Sequence, residues 1–102
     1  MKQRDEAAAK QVGRNLFLAR RRADLSQEKL AKLCGLHRTE ISLVEQGRRI
    51  PRVDTLVKLA SSLEVDVEEL LKGIAWVVPA SERPGQFDIR RPLGKGGGNA
   101  CQ

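Results

Sequence analysis

The stretch that decides the fold is Ser26 to Pro51, SQEKLAKLCGLHRTEISLVEQGRRIP. Its first half has apolar residues at helical spacing, and Ser26 stands where a helix cap is expected. Gly35 interrupts this pattern at the position where a left-handed residue ends a helix. A second short pattern follows, with Ile41 and Val44 on its inward side. The stretch predicts two short helices joined by a tight turn, and the steep crossing that such a turn requires lets a helix enter a DNA major groove.

The rest of the chain predicts three more helices and two β-prone runs. The apolar spacing favours a first helix starting at Ala7, a fourth helix around residues 54–63 and a short fifth helix closed by Gly73. Two later runs are β-prone and could form a hairpin, which must pack on something because isolated hairpins are marginally stable. We therefore expect an all-α, five-helix domain with a possible short C-terminal β-hairpin. The expected divisions are a flexible N-terminus (1–6), the helical domain (7–73), a β-prone extension (74–90) and a disordered tail (91–102).

Composition and charge narrow the class of protein. The chain has 102 residues, enough for one small domain, and only one Trp, two Phe and no Tyr, so the core must be aliphatic. The formal net charge is +6, and the basic excess lies within residues 1–60, around the two-helix unit. Such an excess attracts nucleic acid or anionic lipid, although charge alone is equally compatible with a merely solvated surface.

Several classes of site and location are not indicated by the sequence. Cys34 and Cys101 have neither the spacing of a disulfide framework nor that of a zinc site, and Cys34 is predicted to be a small core residue. There is no signal peptide and no run of transmembrane length, so we expect a cytoplasmic protein without a membrane partner. His37 and Glu40 have no nucleophile or metal-ligand set around them and are predicted to cap the third helix. We expect no enzyme activity, no metal and no cofactor.

An ordered set of motifs runs through residues 12–73. It consists of an apolar residue and an arginine in the first helix, Ser-Gln-x-x-Leu-Ala opening the second, a glycine at the turn, an isoleucine in the third and Glu-x-Gly at its end. The positions are Leu16, Arg20, Ser26-Gln27, Leu30-Ala31, Gly35, Ile41 and Glu45-Gln46-Gly47, followed by Pro51, Leu56, Leu59, Ala60 and Leu70-Leu71. This set resembles the phage repressor and Cro-type helix-turn-helix family (the xenobiotic-response-element family) of bacterial transcriptional regulators. The resemblance implies a lambda-repressor-like fold and a sequence-specific regulator, often a repressor, that binds double-stranded DNA.

The resemblance also implies roles for particular residues. The third helix, about residues 38–46, would lie in the major groove, where outward side chains meet base edges. The base-reading candidates are Arg38, Thr39, Ser42 and Leu43. The phosphate-binding candidates are Ser26, Gln27, Arg48, Arg49 and Arg52. Arg20 and Glu45 match a structural ion pair between the first and third helices. For the exposed candidates, the alternative is an ordinary solvated surface residue.

Regulators of this kind usually bind as dimers to two half-sites about 34 Å apart. The first helix has more apolar surface than one core needs, and the β-prone extension also needs cover. The dimer-contact candidates are Phe17, Leu18, Trp76, Val78, Phe87 and Ile89. Packing of the extension within one chain is an equally open alternative.

Two other functions remain open at this point. One is an antitoxin or restriction-modification controller protein of the same fold, which a neighbouring gene would identify. The other is a protein-interaction adaptor that has lost DNA binding. An adaptor should have a neutral or acidic recognition face, and Arg38, Arg48, Arg49 and Arg52 argue against it.

Overall fold

The computed structural model describes residues 3–90 of the chain. Within them, five helices precede a two-stranded antiparallel sheet. The helices are α1 (Gln3–Arg22), α2 (Gln27–Cys34), α3 (Arg38–Glu45), α4 (Val53–Leu63) and α5 (Val67–Leu71), and the strands are β1 (Ile74–Val77) and β2 (Gln86–Ile89). The predicted five-helix fold with a short C-terminal hairpin is confirmed.

The N-terminal boundary differs from the prediction. Helix α1 begins at Gln3 rather than at Ala7, so residues 3–6 are helical and continue the first helix. The predicted disordered tail and Cys101 lie outside the described residues. Among residues 3–90, no helix combines the length and the apolar character needed to cross a membrane.

Local sequence sets both ends of α2. The Ser26 hydroxyl accepts a hydrogen bond from the Lys29 backbone N–H at 3.0 Å, and Gly35, with a φ of 69°, ends α2. His37 and Asp66 occupy the cap positions of α3 and α5, but neither side chain makes a capping hydrogen bond. The prediction that the His37 side chain caps α3 was therefore wrong, and Asp66 behaves in the same way at α5. Their backbone carbonyls close the first turns instead, accepting from N–H groups three residues later.

The core is aliphatic and lies where the five helices meet. The side chains of Leu16, Leu30, Ile41, Leu59 and Leu70 are almost completely buried. Cys34 packs in the same cluster and its thiol lies 3.3 Å from the Ser62 hydroxyl, so its predicted place in the core is confirmed. Leu33 is apolar and lies on the same helix, yet it is 54% exposed. Successive helical residues point about 100° apart, so a helix that buries Leu30 and Cys34 turns Leu33 toward solvent.

Gly13 determines how closely α1 approaches α3. A Cβ atom at this position would lie 2.3 Å from the carbonyl oxygen of Val44 and 2.7 Å from that of Glu45. Both neighbours are backbone atoms, which cannot rotate away as a flexible side chain can. The glycine that the sequence shows as a weak point within a helix is therefore required for the contact between two helices.

Asn15 joins the middle of α1 to the end of α5. Its side-chain amide donates hydrogen bonds to the carbonyls of Leu70 at 3.0 Å and Lys72 at 2.9 Å. These carbonyls belong to the C-terminal end of a five-residue helix, where intrahelical partners are missing. A side chain from α1 thus supplies the hydrogen bonds that the end of α5 lacks.

The hairpin packs against the helical domain of its own chain. Ile74 pairs with Ile89 and Trp76 with Phe87, so these side chains share one face of the sheet. Ile74 packs against the helical core, and β2 lies beside α1. The Trp76 and Phe87 rings meet edge to face with their centroids 5.0 Å apart.

Candidate nucleic-acid interface

A buried ion pair holds the C-terminal end of α3 against α1. Arg20 is 8% exposed; its Nε donates to one carboxylate oxygen of Glu45 at 2.6 Å and its Nη2 to the other at 3.1 Å. The remaining terminal nitrogen donates to the Leu25 carbonyl at 2.7 Å. A buried charge pair is tolerated when geometry is bidentate and further hydrogen bonds are satisfied, as they are here. The two residues that the resemblance paired thus fix α3 from its inner side.

Gln27 extends this ion pair to the protein surface. Its amide nitrogen donates to Glu45 at 2.9 Å, and its amide oxygen accepts from the Arg38 guanidinium at 3.3 Å. The first residue of α2 therefore connects the buried carboxylate to the first residue of α3. The sequence suggests only a phosphate contact for Gln27, since the three partners are far apart along the chain.

The predicted base-reading residues do not present equal surfaces. Arg38 and Thr39 are exposed at the start of α3. Ser42 is half-buried and its hydroxyl accepts from the Gln46 side-chain amide at 2.8 Å. Leu43 is also half-buried, and it lines an open groove together with Thr39 and Arg49. The N-terminal half of α3 is thus its most accessible part.

The three arginines that follow α3 have different surroundings. The Arg48 side chain is exposed and has no ion-pair partner among residues 3–90. The guanidinium of Arg49 lies 2.5 Å from the Glu40 carboxylate. The Arg52 guanidinium lies 3.6 Å from the Asp54 carboxylate, with both side chains mostly exposed. The charge run seen in the sequence is therefore partly neutralised, and its only free member within the described residues is Arg48.

The predicted dimer candidates have unequal exposure. Phe17 is partly exposed and lies beneath the guanidinium groups of Arg20 and Arg21, 5.5 and 5.8 Å from its ring centroid. Leu18 and Phe87 are half-buried. The exposed members on or next to the hairpin are Trp76, Val78 and Ile89, which we call the hairpin surface.

A second set of exposed apolar residues was not anticipated from the sequence. Val53 is 77% exposed and Val57 is 49% exposed, and they stand one helical turn apart on α4. Ile50 is exposed in the loop before them, and Leu33 is exposed on α2, which packs against α4. We call these four residues the α4 surface. A helical projection of the sequence places Val53 and Val57 outside the apolar stripe of Leu56, Leu59 and Leu63. This projection is the signal that could have revealed these exposed residues.

Comparison with known proteins identifies relatives of this chain. Residues 16–70 match the helix-turn-helix family HTH_3. An uncharacterized HTH-type transcriptional regulator, y4dJ, of Sinorhizobium fredii (strain NBRC 101917 / NGR234) is 39% identical over 75 residues, which are 74% of this chain and 90% of that protein. Control protein C.BamHI of Bacillus amyloliquefaciens is 44% identical over 50 residues, 49% of this chain. The matched region spans 62% of that control protein and 57% of control protein C.SmaI of Serratia marcescens.

Solved structures give the same result. The restriction-modification controller protein C.AhdI from Aeromonas hydrophila superposes with a TM-score of 0.61 at 38% identity, over 63% of this chain and 97% of that one. The P22 c2 repressor in complex with a synthetic operator superposes with a TM-score of 0.57 at 27% identity, over 61% of this chain and 94% of that one. The resemblance drawn from the sequence motifs is thereby confirmed.

Proposed function

The chain belongs to the helix-turn-helix family, and we propose that it is a sequence-specific regulator of transcription that binds double-stranded DNA as a cytoplasmic homodimer. The observation that carries this proposal is the way in which α3 is held in the fold. Its inner side is fixed by the buried Arg20–Glu45 pair, while Arg38 and Thr39 are exposed at its start and the basic loop follows its end. A rigidly held helix with exposed polar side chains beside cationic ones suits entry into the major groove.

Within this proposal, the start of α3 reads the bases. Arg38 can donate two parallel hydrogen bonds to guanine, and Thr39 can contact a base edge or a thymine methyl group. Gln27 supports the orientation of Arg38 through the bond at 3.3 Å. Ser42 and Leu43 contribute to a smaller extent because both are half-buried in the free chain.

The DNA backbone is proposed to be held from both sides of α3. Ser26 and Gln27 stand at the N-terminus of α2, where backbone N–H groups and the helix dipole favour a phosphate. Arg48 is ready to bind a phosphate, whereas Arg49 and Arg52 must exchange a carboxylate for one. Such contacts position the protein without reading sequence.

Dimerisation has two candidate surfaces in the structure. The hairpin surface was predicted, but Trp76 and Ile89 share their face of the sheet with Ile74, which already packs against the helical core of the same chain. The α4 surface adjoins the basic loop that follows α3, so a second copy there would place two such loops side by side. We propose the α4 surface as the main contact and keep the hairpin surface as the alternative that the same experiment tests.

Control of a restriction-modification system is a more specific function within this proposal. It is favoured by the similarity to C.AhdI, a controller protein of which this chain covers 97%. A methyltransferase or endonuclease gene beside this one, with a selected binding site upstream of it, would support the controller role. A toxin gene in that place would support an antitoxin.

Selection of bound fragments from random DNA, followed by two substitutions, tests the function. We expect Arg38→Ala to change the preferred sequence, because it removes a base-reading side chain. We expect Arg48→Ala to weaken binding to all sequences alike and to make the dependence of log affinity on log salt shallower by about 0.9. If Arg38→Ala leaves the preference unchanged, the proposed docking of α3 is wrong. If the chain selects no DNA, the adaptor alternative gains support.

A further inference from the structure

An ion pair crosses the outer side of α3. Arg49, in the loop after α3, reaches back to Glu40 in the first turn of that helix, and the two charged groups lie 2.5 Å apart. The Glu40 side chain is 26% exposed and that of Arg49 51% exposed, so both remain accessible. Thr39, a base-reading candidate, and Leu43 lie along the same groove. The pair therefore stands on the surface that would face DNA.

A carboxylate on this surface has a consequence for DNA binding. A negative charge close to the phosphate backbone is repelled, and the repulsion is cancelled only while a cation is held against it. If a phosphate takes Arg49, the Glu40 carboxylate loses its cation while it lies close to the negatively charged DNA backbone. Exchange of partners is therefore unfavourable on DNA that offers Glu40 no new donor. The amino group of cytosine, which is exposed in the major groove, is such a donor.

We propose that Glu40 is a specificity-determining residue that restrains Arg49. The carboxylate holds the guanidinium away from phosphates on DNA of arbitrary sequence and so weakens non-specific binding. The restraint is relieved where a cytosine amino group can donate to Glu40 and free Arg49. This inference rests on the proposed function, since it concerns the same surface of the same complex.

Glu40→Gln removes the charge while keeping the shape and a hydrogen-bonding group. Its affinity for a short labelled duplex of scrambled sequence is measured by fluorescence anisotropy over a range of salt concentrations, beside the affinity for the selected site. We expect about fivefold tighter binding to the scrambled duplex, with a salt slope steeper by about 0.9 because one more phosphate is contacted. The ratio of specific to non-specific affinity is expected to fall at least fivefold.

Glu68→Gln is the matched control, because it makes the same change of net charge at an exposed carboxylate on α5. Equal gains for Glu40→Gln and Glu68→Gln would overturn the inference, since they would reflect net charge alone. The second control adds Glu40→Gln to an Arg49→Ala chain, where the excess gain over Glu68→Gln should vanish. An excess that persists without Arg49 also overturns it.

These outcomes are distinct from failure of the proposed function. If the unmodified chain binds no duplex, the DNA-binding proposal fails. If it binds a selected site and Glu40→Gln behaves like Glu68→Gln, only the role of Glu40 is rejected. Thermal unfolding followed by circular dichroism shows that each variant is folded under the binding conditions.

Discussion

The helical domain and the C-terminal hairpin are stabilised by different kinds of contact. In the helices, aliphatic side chains are almost completely buried and an arginine–glutamate pair is buried between α1 and α3. In the hairpin, the Trp76 and Phe87 rings meet edge to face, Trp76 is half exposed, and the Asp88–Arg90 ion pair lies in solvent. Ion pairs and apolar contacts therefore contribute differently to the free energy of unfolding in the two regions, depending on how deeply they are buried. The surface proposed to read DNA is fixed from within, whereas the hairpin is a layer on the outside of α1.

The largest effect is expected from removing one member of the buried ion pair, for comparison with removing one member of the exposed ion pair. Glu45→Ala leaves the buried Arg20 guanidinium without its carboxylate and should lower the free energy of unfolding by about 3 kcal/mol. Asp88→Ala breaks an exposed pair and should change it by no more than about 0.5 kcal/mol. Urea unfolding followed by circular dichroism measures both. If both substitutions changed the free energy of unfolding equally, burial would not explain the difference between the helical domain and the hairpin.

A second comparison places a methyl group in each region. Gly13→Ala would raise helix propensity by up to about 1 kcal/mol, yet the contact with the Val44 carbonyl should make it destabilising by about 2 kcal/mol. Gly85→Ala meets the Val77 carbonyl and the Trp76 ring, so its effect should stay within the hairpin.

Two signals follow these substitutions separately. Trp76 is the only tryptophan, so its emission reports on the hairpin, and far-ultraviolet circular dichroism reports on the helices. We expect Gly85→Ala to shift the emission while the helical unfolding midpoint stays nearly constant. A stabilising Gly13→Ala would mean that α1 and α3 lie farther apart than the structure shows.

The smallest change in fold is expected from removing the extension. Deletion of residues 74–102 should leave the helical signal in place, with a loss of about 1 kcal/mol from the apolar contacts of Ile74. The mass in solution, measured by light scattering, then separates the two candidate dimer surfaces. We expect the shortened chain to remain a dimer and the variant Val53→Asp, Val57→Asp to become a monomer. The reverse result would assign the dimer contact to the hairpin surface.

The sequence predicts this fold well because its signals are local. The spacing of Leu30 and Cys34, the cap at Ser26 and the left-handed Gly35 each act within a few residues. The buried ion pair is accessible only through the family resemblance, because nothing local links Arg20 to Glu45. Neither the local signals nor the resemblance could decide whether the β-prone extension packs within its own chain or forms the dimer contact.

What the sequence misses depends on contacts between distant residues. Gly13 appears unfavourable until the carbonyls of α3 lie against it. Arg49 appears free until Glu40 is brought beside it, and Gln27 appears to be only a candidate phosphate contact until it is seen to contact Glu45 and Arg38. The α4 surface was missed for a different reason, since apolar residues on a short helix are assigned to the core by default.

The amide of Asn15 has a consequence for the order of folding. A five-residue helix has too few internal hydrogen bonds to persist alone, and α5 receives two of its terminal bonds from α1. We therefore expect α5 to acquire its structure only after α1 has docked, and the hairpin, which begins three residues beyond α5, to follow it. Amide exchange should accordingly be fastest in the hairpin, intermediate in α5 and slowest around Leu16 and Ile41.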